Sequence, residues 1–171
     1  MYLLPVDGDY DVRIDLATYS ANDNTNAPDV LFRLQDGVGA NRAEVNYTLN
    51  ADGTTHELRS GLRKNNSNQF SSIVNPVSIP TALRIKRTGM IITTYYTIGA
   101  GWVLIDFRDY ESYSCNVREV ALVIYSNGAN GGYVEFDNLD FLDGCPEGQK
   151  AWTTTTTTTT SSSTTTTTSP P

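Results

Sequence analysis

Hydrophobic and polar residues alternate along most of the chain. In residues 9–16 the apolar side chains fall on every second position, which is typical of a strand with one buried face. Similar short segments follow, separated by turn-forming sequences such as Asn50–Gly53, which predicts a hairpin. The predicted strands cover residues 9–16, 30–34, 44–49, 56–62, 69–74, 81–87, 90–98, 102–107, 118–126 and 133–142.

The spacing and length of these segments predict the fold class. Residues 120–125 form an almost continuous apolar run, which suits a strand covered on both faces. No long segment has a helical period free of Gly, Pro and β-branched runs. Short strands with a turn signal about every 8–12 residues predict an all-β protein, an antiparallel β-sandwich or jelly roll.

Composition divides the chain into two parts. All 12 Lys and Arg and all 19 Asp and Glu lie in residues 1–150, whereas 17 consecutive Ser and Thr run from Thr153 to Ser169 and are followed by two prolines. The second part has little to bury and cannot form a core. We therefore predict a sandwich domain over residues 1–150 and an extended, non-globular tail over residues 151–171.

Charge and hydropathy exclude several classes of partner. The net charge is −7 and the isoelectric point is about 4.5, which argues against a nucleic-acid partner. No stretch approaches the roughly 20 apolar residues that span a bilayer. Residues 1–6 are too short for a signal peptide and lack its basic region.

Several features favour an extracellular or cell-surface location. Cys115 and Cys145 can form a disulfide, the alternative being two reduced, buried cysteines. Asn46 and Asn65 begin Asn-x-Ser/Thr sequons, which would suit surface loops of a glycoprotein. The tail has the composition of an O-glycosylated stalk. Its predicted O-glycosylation sites are Thr153, Thr154, Thr155, Thr156, Thr157, Thr158, Thr159, Thr160, Ser161, Ser162, Ser163, Thr164, Thr165, Thr166, Thr167, Thr168 and Ser169.

Three segments together resemble a known family. Residues 83–96 read LRIKRTGMIITTYY, Trp102 follows, and residues 134–141 read VEFDNLDF. This arrangement resembles the late strands of concanavalin A-like (laminin G-like) jelly-roll domains, and GDYDVRID at residues 8–15 is similar to a mid-domain strand of that family. The resemblance covers about residues 8–142. It implies a β-sandwich and carries no invariant catalytic motif.

The beginning of the chain departs from the family pattern. Members usually have some tens of residues before the GDYDV-like strand, whereas seven precede it here. Either the N-terminal strands are absent from this chain, or a neighbouring copy supplies them. The second option would leave an open sheet edge that invites strand addition between subunits.

An enzymatic role is a further hypothesis. Some concanavalin A-like relatives are glucanases with a Glu-x-Asp-x-x-Glu strand, and residues 135–140 are close to it, with Asp140 in place of the second Glu. A retaining pair such as Glu135 and Asp140 would need carboxyl groups about 5–5.5 Å apart. The alternative places Phe136 and Leu139 in the core and the acids in solvent. His56 is the only histidine and has no serine or cysteine motif around it, so we predict a noncatalytic protein.

Oxygen ligands for a structural calcium ion could come from the two ends of the domain. The first and last strands of jelly rolls often lie side by side, which would bring Asp7 and Asp9 close to Asp137 and Asp140. The alternative is that these aspartates are solvated.

Carbohydrate binding needs exposed aromatic faces beside polar groups. Candidates near predicted turns are Tyr95, Trp102, Tyr110, Tyr113 and Tyr133, although aromatic residues in strands also serve as core. Several basic residues could contact anionic glycans or an acidic neighbour, or form a solvated sheet face; they are Arg59, Arg63, Lys64, Arg84, Lys86 and Arg87.

Two functional hypotheses follow. The first is a noncatalytic extracellular glycoprotein, a β-sandwich on an O-glycosylated stalk. It would act as a structural subunit or adhesin of a filament, with copies of itself or neighbouring modules as partners. The second is a carbohydrate-binding module that the tail tethers to a polysaccharide-degrading enzyme. A glycan-binding assay distinguishes them, because only the module requires a defined polysaccharide ligand.

Overall fold

The computed structural model describes residues 2–6, 8–20, 27–36, 41–99, 101–109, 117–125 and 132–143. Within these ranges all regular structure is β-strand, and no helix occurs that is long and apolar enough to cross a membrane. The strands are β1 (Tyr2–Val6), β2 (Tyr10–Ser20), β3 (Asp29–Gln35), β4 (Arg42–Leu49), β5 (His56–Lys64), β6 (Ser67–Val74), β7 (Ala82–Thr88), β8 (Ile91–Thr97), β9 (Val103–Asp109), β10 (Val117–Tyr125) and β11 (Tyr133–Asp143).

The strands form two antiparallel sheets. The six-stranded sheet has the order β1-β10-β3-β4-β5-β6, and the five-stranded sheet has the order β11-β2-β7-β8-β9. The earliest strands of the chain therefore pair with the latest ones, β1 with β10 and β2 with β11. The predicted fold class, an all-β antiparallel sandwich, is confirmed.

The core lies between the inner faces of the two sheets. Alternation places Tyr10, Val12 and Ile14 of β2 in it, each almost fully buried, because successive side chains of a strand point to opposite faces. A fully buried polar contact also joins the two sheets within this layer. The Thr94 hydroxyl of β8 donates to the Ser60 hydroxyl of β5 over 2.9 Å, and both residues are buried.

Two local features differ from the sequence predictions. The segment 64–68, expected to be a loop, contains only a tight turn in which Asn65 and Asn66 have φ of 48° and 65°, as a type I′ hairpin requires. Strand β1 was not predicted, because residues 2–6 contain a proline and do not alternate. Its pairing with β10 shifts register between Leu3 and Val6.

Several predicted features lie outside the described residues. They are the tail over residues 151–171 with all its O-glycosylation sites, the cysteines Cys115 and Cys145, the aromatics Tyr110 and Tyr113, and Asp7.

Candidate functional site

The outer face of the five-stranded sheet carries polar side chains in rows that cross the strands. One row runs Asp137, Asp15, Ala82, Thr97 from β11 to β8. The next row runs Asp140, Arg13, Arg84, Tyr95, Leu104 from β11 to β9. Each row contains residues paired in register, so their side chains stand next to one another on the same face. The first row has a small side chain, that of Ala82, near its centre. The second row consists mainly of long side chains.

Arg84 occupies the centre of the second row. Its Nε donates to Asp11 Oδ1 over 2.6 Å, and a terminal nitrogen donates to the other oxygen of the same carboxylate. The guanidinium carbon lies 5.5 Å from the ring centroid of Tyr95 and 5.4 Å from that of Trp102. These distances allow cation–π attraction. The hydrogen bond to Asp11 raises the pKa of Arg84 above its usual value, so this group stays charged.

A groove of about 420 Å³ opens beside Arg84 along the first row. Its centre is low because Ala82 stands where the neighbouring row has an arginine. Trp102 and Arg13 border the groove on the side of the second row. The complete lining is Arg13, Asp15, Leu16, Ala17, Thr81, Ala82, Thr97, Gly99, Gly101, Trp102, Asp137 and Asn138.

A bulge in β11 shapes one wall of the groove. Asn138 adopts φ of 47°, a left-handed conformation that asparagine tolerates better than most residues. The pairing of β11 with β2 shifts register there, between Asp137 and Asp140. As a result the Asn138 amide nitrogen reaches Asp15 Oδ2 at 3.0 Å, and Asp137 Oδ1 accepts from the Asn138 backbone N–H at 2.8 Å.

The β8–β9 connection places Trp102 on the opposite wall. The Thr97 hydroxyl donates to the Gly99 carbonyl over 2.7 Å and lies 3.1 Å from the Gly99 backbone nitrogen, which donates to it. Gly101 has φ of 97°, a conformation that residues with a Cβ rarely adopt. The chain thereby turns sharply just before Trp102 and returns into β9.

The lining contains two carboxylates, those of Asp15 and Asp137, which bond to the uncharged Asn138 and, among the described residues, not to a base. Arg84 is neutralised by Asp11, and Arg13 is neutralised by Asp140 at 2.8 Å. The remaining groups are an indole face, an amide, carboxylate oxygens and threonine hydroxyls. An apolar plane beside a few convergent polar groups is suited to a small polar molecule with one apolar face.

The structure separates the predicted aromatic residues. Tyr95 and Trp102 come together at Arg84. Tyr133 does not line the groove; it pairs with Ser20, three residues along β2 from the lining residue Ala17, which is roughly 10 Å. Tyr133 is therefore not part of this site.

The predicted calcium ligands are not brought together. Asp9 precedes β2 and accepts the Gly89 backbone N–H at 2.6 Å. Asp137 pairs with Asp15, six residues along the chain from Asp9, and Asp140 is bonded to Arg13. Among the described residues, no three acidic, cysteine or histidine side chains form a group that could hold a metal ion.

The glucanase-like pair is also separated. Glu135 pairs with Thr18 and Asp140 with Arg13, so the two acids are five residues apart along β2, roughly 15 Å between their backbones. The Asp140 carboxylate is bonded to Arg13. This arrangement differs from the closely spaced carboxyl groups of a retaining glycosidase.

His56 lies in the six-stranded sheet, far from the groove. Its Nδ1 is 2.8 Å from the hydroxyl of Tyr47, and the two rings stack with centroids 6.0 Å apart. Tyr47 also meets Tyr19 edge to face at 5.0 Å. Burial raises the pKa of the Tyr47 phenol above its usual value. These contacts give His56 a packing role.

The two predicted N-glycosylation sites occupy different environments. Asn65 is exposed at the β5–β6 turn, as expected for a surface loop. Asn46 instead lies in the middle of β4, paired with Leu31 on one side and Arg59 on the other. Its amide oxygen is buried without a hydrogen-bond partner.

Sequence reasoning identified Trp102 and Tyr95 but missed most of the polar groups around them. The sequence alone groups Arg84 with its strand neighbours Lys86 and Arg87 and also with three basic residues of β5 on the other sheet. It gives Asp11, Asp15 and Arg13 only as the polar positions of a strand. Their alternation along β2 did place them on one face. Which arginine meets which acid depends on the pairing of β2 with β7 and β11, which a single sequence does not contain.

Comparison of the sequence with models of known protein families gives no match. Comparison with curated proteins finds no sequence with significant similarity.

Proposed function

We propose that the chain is a noncatalytic extracellular glycan-binding module that acts as an adhesin. The observation that carries this proposal is the groove, in which Trp102 lines the same open depression as Asn138 and Asp15. A sugar ring has an apolar face that stacks on an indole and hydroxyls that bond to amides and carboxylates.

The charge balance favours a neutral sugar over an anionic ligand. The two arginines next to the groove already have carboxylate partners, Asp11 for Arg84 and Asp140 for Arg13. An anionic ligand would have to compete with these partners for the same guanidinium groups. A neutral hydroxylated ligand leaves both pairs intact.

Features of the whole chain support an extracellular role. The sandwich architecture agrees with the resemblance to concanavalin A-like domains, on which we base the proposed family. The 17-residue Ser/Thr tract, when O-glycosylated, would form an extended stalk of about 3.1 Å per residue, on the order of 50 Å in all. Such a stalk would hold the module away from the surface that carries it.

The proposal is tested with the glycosylated full chain on an array of neutral and acidic glycans. We expect binding to a defined neutral glycan, and we expect Trp102→Ala to lower its affinity at least about tenfold, because the stacking face is lost. Tyr133→Ala is the matched control, since it also removes a partly exposed aromatic ring but one that does not line the groove. Melting temperatures of both variants show whether they remain folded.

Two results would overturn the proposal. One is equal loss of affinity in Trp102→Ala and Tyr133→Ala. The other is the absence of any glycan that binds the folded chain. Intact-mass spectrometry tests the stalk separately, because an O-glycosylated tail adds glycan mass and a bare tail does not.

A second candidate, a structural subunit of a filament, is favoured by one further observation. Ile91, Leu104 and Phe107 are exposed on the outer face along β8 and β9, and Phe107 is 62% exposed. Among the described strands β9 is an edge of its sheet, where another chain can add. Electron microscopy distinguishes the candidates, because a subunit forms polymers and a monovalent adhesin remains monomeric.

A further inference from the structure

We infer that the groove on the five-stranded sheet selects a glycan that carries a free amino group, as polymers of glucosamine do. The ammonium group of the sugar binds at the carboxylates of Asp15 and Asp137, and the sugar ring packs beside Trp102. This inference rests on the proposed glycan-binding function and adds a specificity to it. It names the substituent by which the groove distinguishes sugars that lack acidic groups.

Strand pairing places two carboxylates side by side in the groove. Asp137 of β11 is paired in register with Asp15 of β2, and both residues line the groove. Opposite residues of antiparallel strands have Cβ atoms about 4.5–5.5 Å apart, and like charges in this position repel each other. A cation bound between the two carboxylates removes this repulsion.

Hydrogen bonding leaves one oxygen of each carboxylate available to a ligand. The Asn138 side-chain amide donates to Asp15 Oδ2 over 3.0 Å, and the Asn138 backbone N–H donates to Asp137 Oδ1 over 2.8 Å. Within the part of the chain that the structure describes, neither carboxylate has another hydrogen bond or an ion pair. Asp15 Oδ1 and Asp137 Oδ2 can therefore both accept from one donor group.

The two arginines beside the groove do not neutralise these carboxylates. Arg13 forms an ion pair with Asp140 at 2.8 Å, and Arg84 forms one with Asp11. The two carboxylates of the groove belong to neither pair. The site therefore has an excess of two negative charges, which a positively charged ligand can balance.

The surroundings also favour a cation. A third base on this face, Lys86, is paired with Asp11, which is four residues along β2 from Asp15, or roughly 13 Å between their backbones. The whole chain has a net charge of −7, which attracts cations and repels anions at long range.

An ammonium group fits these acceptors better than a metal ion. It has three N–H donors, and hydrogen bonds between charged donors and carboxylates are short and strong. A calcium ion takes about six to eight oxygen ligands. Among the described residues, no three acidic, cysteine or histidine side chains come together in such a group. The groove thus offers an ammonium group enough acceptors, but a calcium ion too few.

A sugar amine fits the groove better than the side chain of a lysine. In glucosamine the amino group is bonded directly to a ring carbon, so packing of the ring beside Trp102 also positions the amine. The ammonium group of lysine is at the end of a flexible chain of four carbons, whose rotamer freedom is lost on binding. Trp102 and the two aspartates line the same groove of about 420 Å³, so one sugar chain can contact all three.

The experiment measures binding of the full chain to three oligosaccharides of equal length by calorimetry at about pH 5.5, where the amines are protonated and the aspartates ionised. All three have the same β-1,4-linked glucose backbone and differ only at carbon 2, which carries a hydroxyl, a free amine or an acetylated amine. We expect the free amine to bind at least about tenfold more tightly than the other two.

The variants Asp15→Asn and Asp137→Asn keep the shape of the side chain and remove its charge. Each should lower the affinity for the amino oligosaccharide about fivefold and change the affinity for the hydroxyl form by less than about twofold. A loss confined to one ligand cannot arise from unfolding, because the same protein still binds the other.

Glu57→Gln is the matched control, because it removes the same charge from the other sheet, and we expect a change of less than about twofold. Equal weakening by Glu57→Gln and Asp137→Asn would overturn the inference in favour of unspecific attraction by the net charge. A lysine peptide of the same charge that binds as tightly as the amino oligosaccharide would also overturn it, because the groove would then take a cationic peptide.

The results also separate this inference from the proposed function. If the three oligosaccharides bind equally and Trp102→Ala weakens all of them, the groove binds glycans and the preference for an amine is wrong. If no glycan binds the folded chain, both the inference and the proposed function are wrong.

Discussion

The outer faces of the two sheets use the same residue types but balance them differently. On the five-stranded sheet Arg84 has Asp11 to itself, and Arg13 has Asp140. On the six-stranded sheet Arg33 and Arg42 share Glu44. The groove on the first sheet is lined by two further carboxylates, those of Asp15 and Asp137. On the second sheet one acid serves two bases.

The difference shows that register, rather than composition, decides which charges are paired on each face. Both sheets place two arginines opposite each other, Arg13 with Arg84 and Arg42 with Arg63. The neighbouring residues differ. In β2 the base alternates with two acids, whereas in β5 a glycine stands opposite Glu44.

The largest expected effect comes from removing Asp11, the carboxylate partner of Arg84. Asp11→Ala leaves the Arg84 side chain, 18% exposed, without its carboxylate, and we expect a loss of about 3 kcal/mol in the free energy of unfolding. Urea denaturation measures it. Glu57→Ala is the control, because its partner Arg59 is 53% exposed, and such pairs contribute less than about 1 kcal/mol. Equal losses would contradict the comparison.

A smaller effect is expected from the contact that joins the two sheets. Thr94→Val leaves the buried hydroxyl of Ser60 without its donor, which should cost about 1–2 kcal/mol. The double variant Thr94→Val/Ser60→Ala should lose less stability than the sum of the two single variants, because both changes remove the same hydrogen bond. Thermal denaturation of the wild type, the two single variants and the double variant measures this. Glycan binding at the groove should be unchanged. Altered affinity there would mean that the core contact and the groove are not independent.

The smallest effect is a pH dependence at the β4–β5 turn. The Asp52 carboxylate accepts hydrogen bonds from the Thr55 hydroxyl and from the backbone N–H groups of Thr54 and Thr55, which lower the pKa of Asp52 to about 2. A lowered pKa in the folded state stabilises the protein above the ordinary value near 3.8 and ceases to do so as the pH falls through about 2.

The variant Asp52→Asn should therefore melt below the wild type at pH 6, and the difference should disappear towards pH 2. Melting temperatures across this range measure it. The turn adjoins the pair Leu49 and His56, at the opposite end of the hairpin from Arg42 and Arg63, so we expect these arginines and the groove to be unaffected. A difference that persists at pH 2 would show that the carboxylate charge is not the cause.

Most of the fold was predictable from local pattern. The alternation in β2 and the apolar residues of β7 and β8 gave the correct strands, since burial of one face imposes a period of two. Strand β1 was missed because Leu3, Leu4 and Pro5 show no alternation, and only its partner β10 makes it a strand. The predicted connection between β5 and β6 was too long, because the residue types around Asn65 and Asn66 suit longer loops as well as tight turns.

The candidate sites were less predictable. Trp102 and Tyr95 could be named from residue type, because sugar binding requires aromatic planes. Tyr133 was grouped with them only because sequence position says nothing about the distance between strand ends. Asp137 and Asp140 were predicted to join Asp9 in a calcium site, yet the pairing of β11 with β2 places them near Arg13 and Asp15 instead.

The sequence by itself determined the strands, the core residues and the division between a charged domain and an uncharged Ser/Thr tract, because these depend on local periodicity and composition. The tertiary structure decided which charges are neutralised. Arg84 with Asp11 and Glu44 with Arg33 are separated by 73 and 11 residues in the chain, and they meet only through strand register. Register depends on the burial of two whole faces together, so no local segment encodes it.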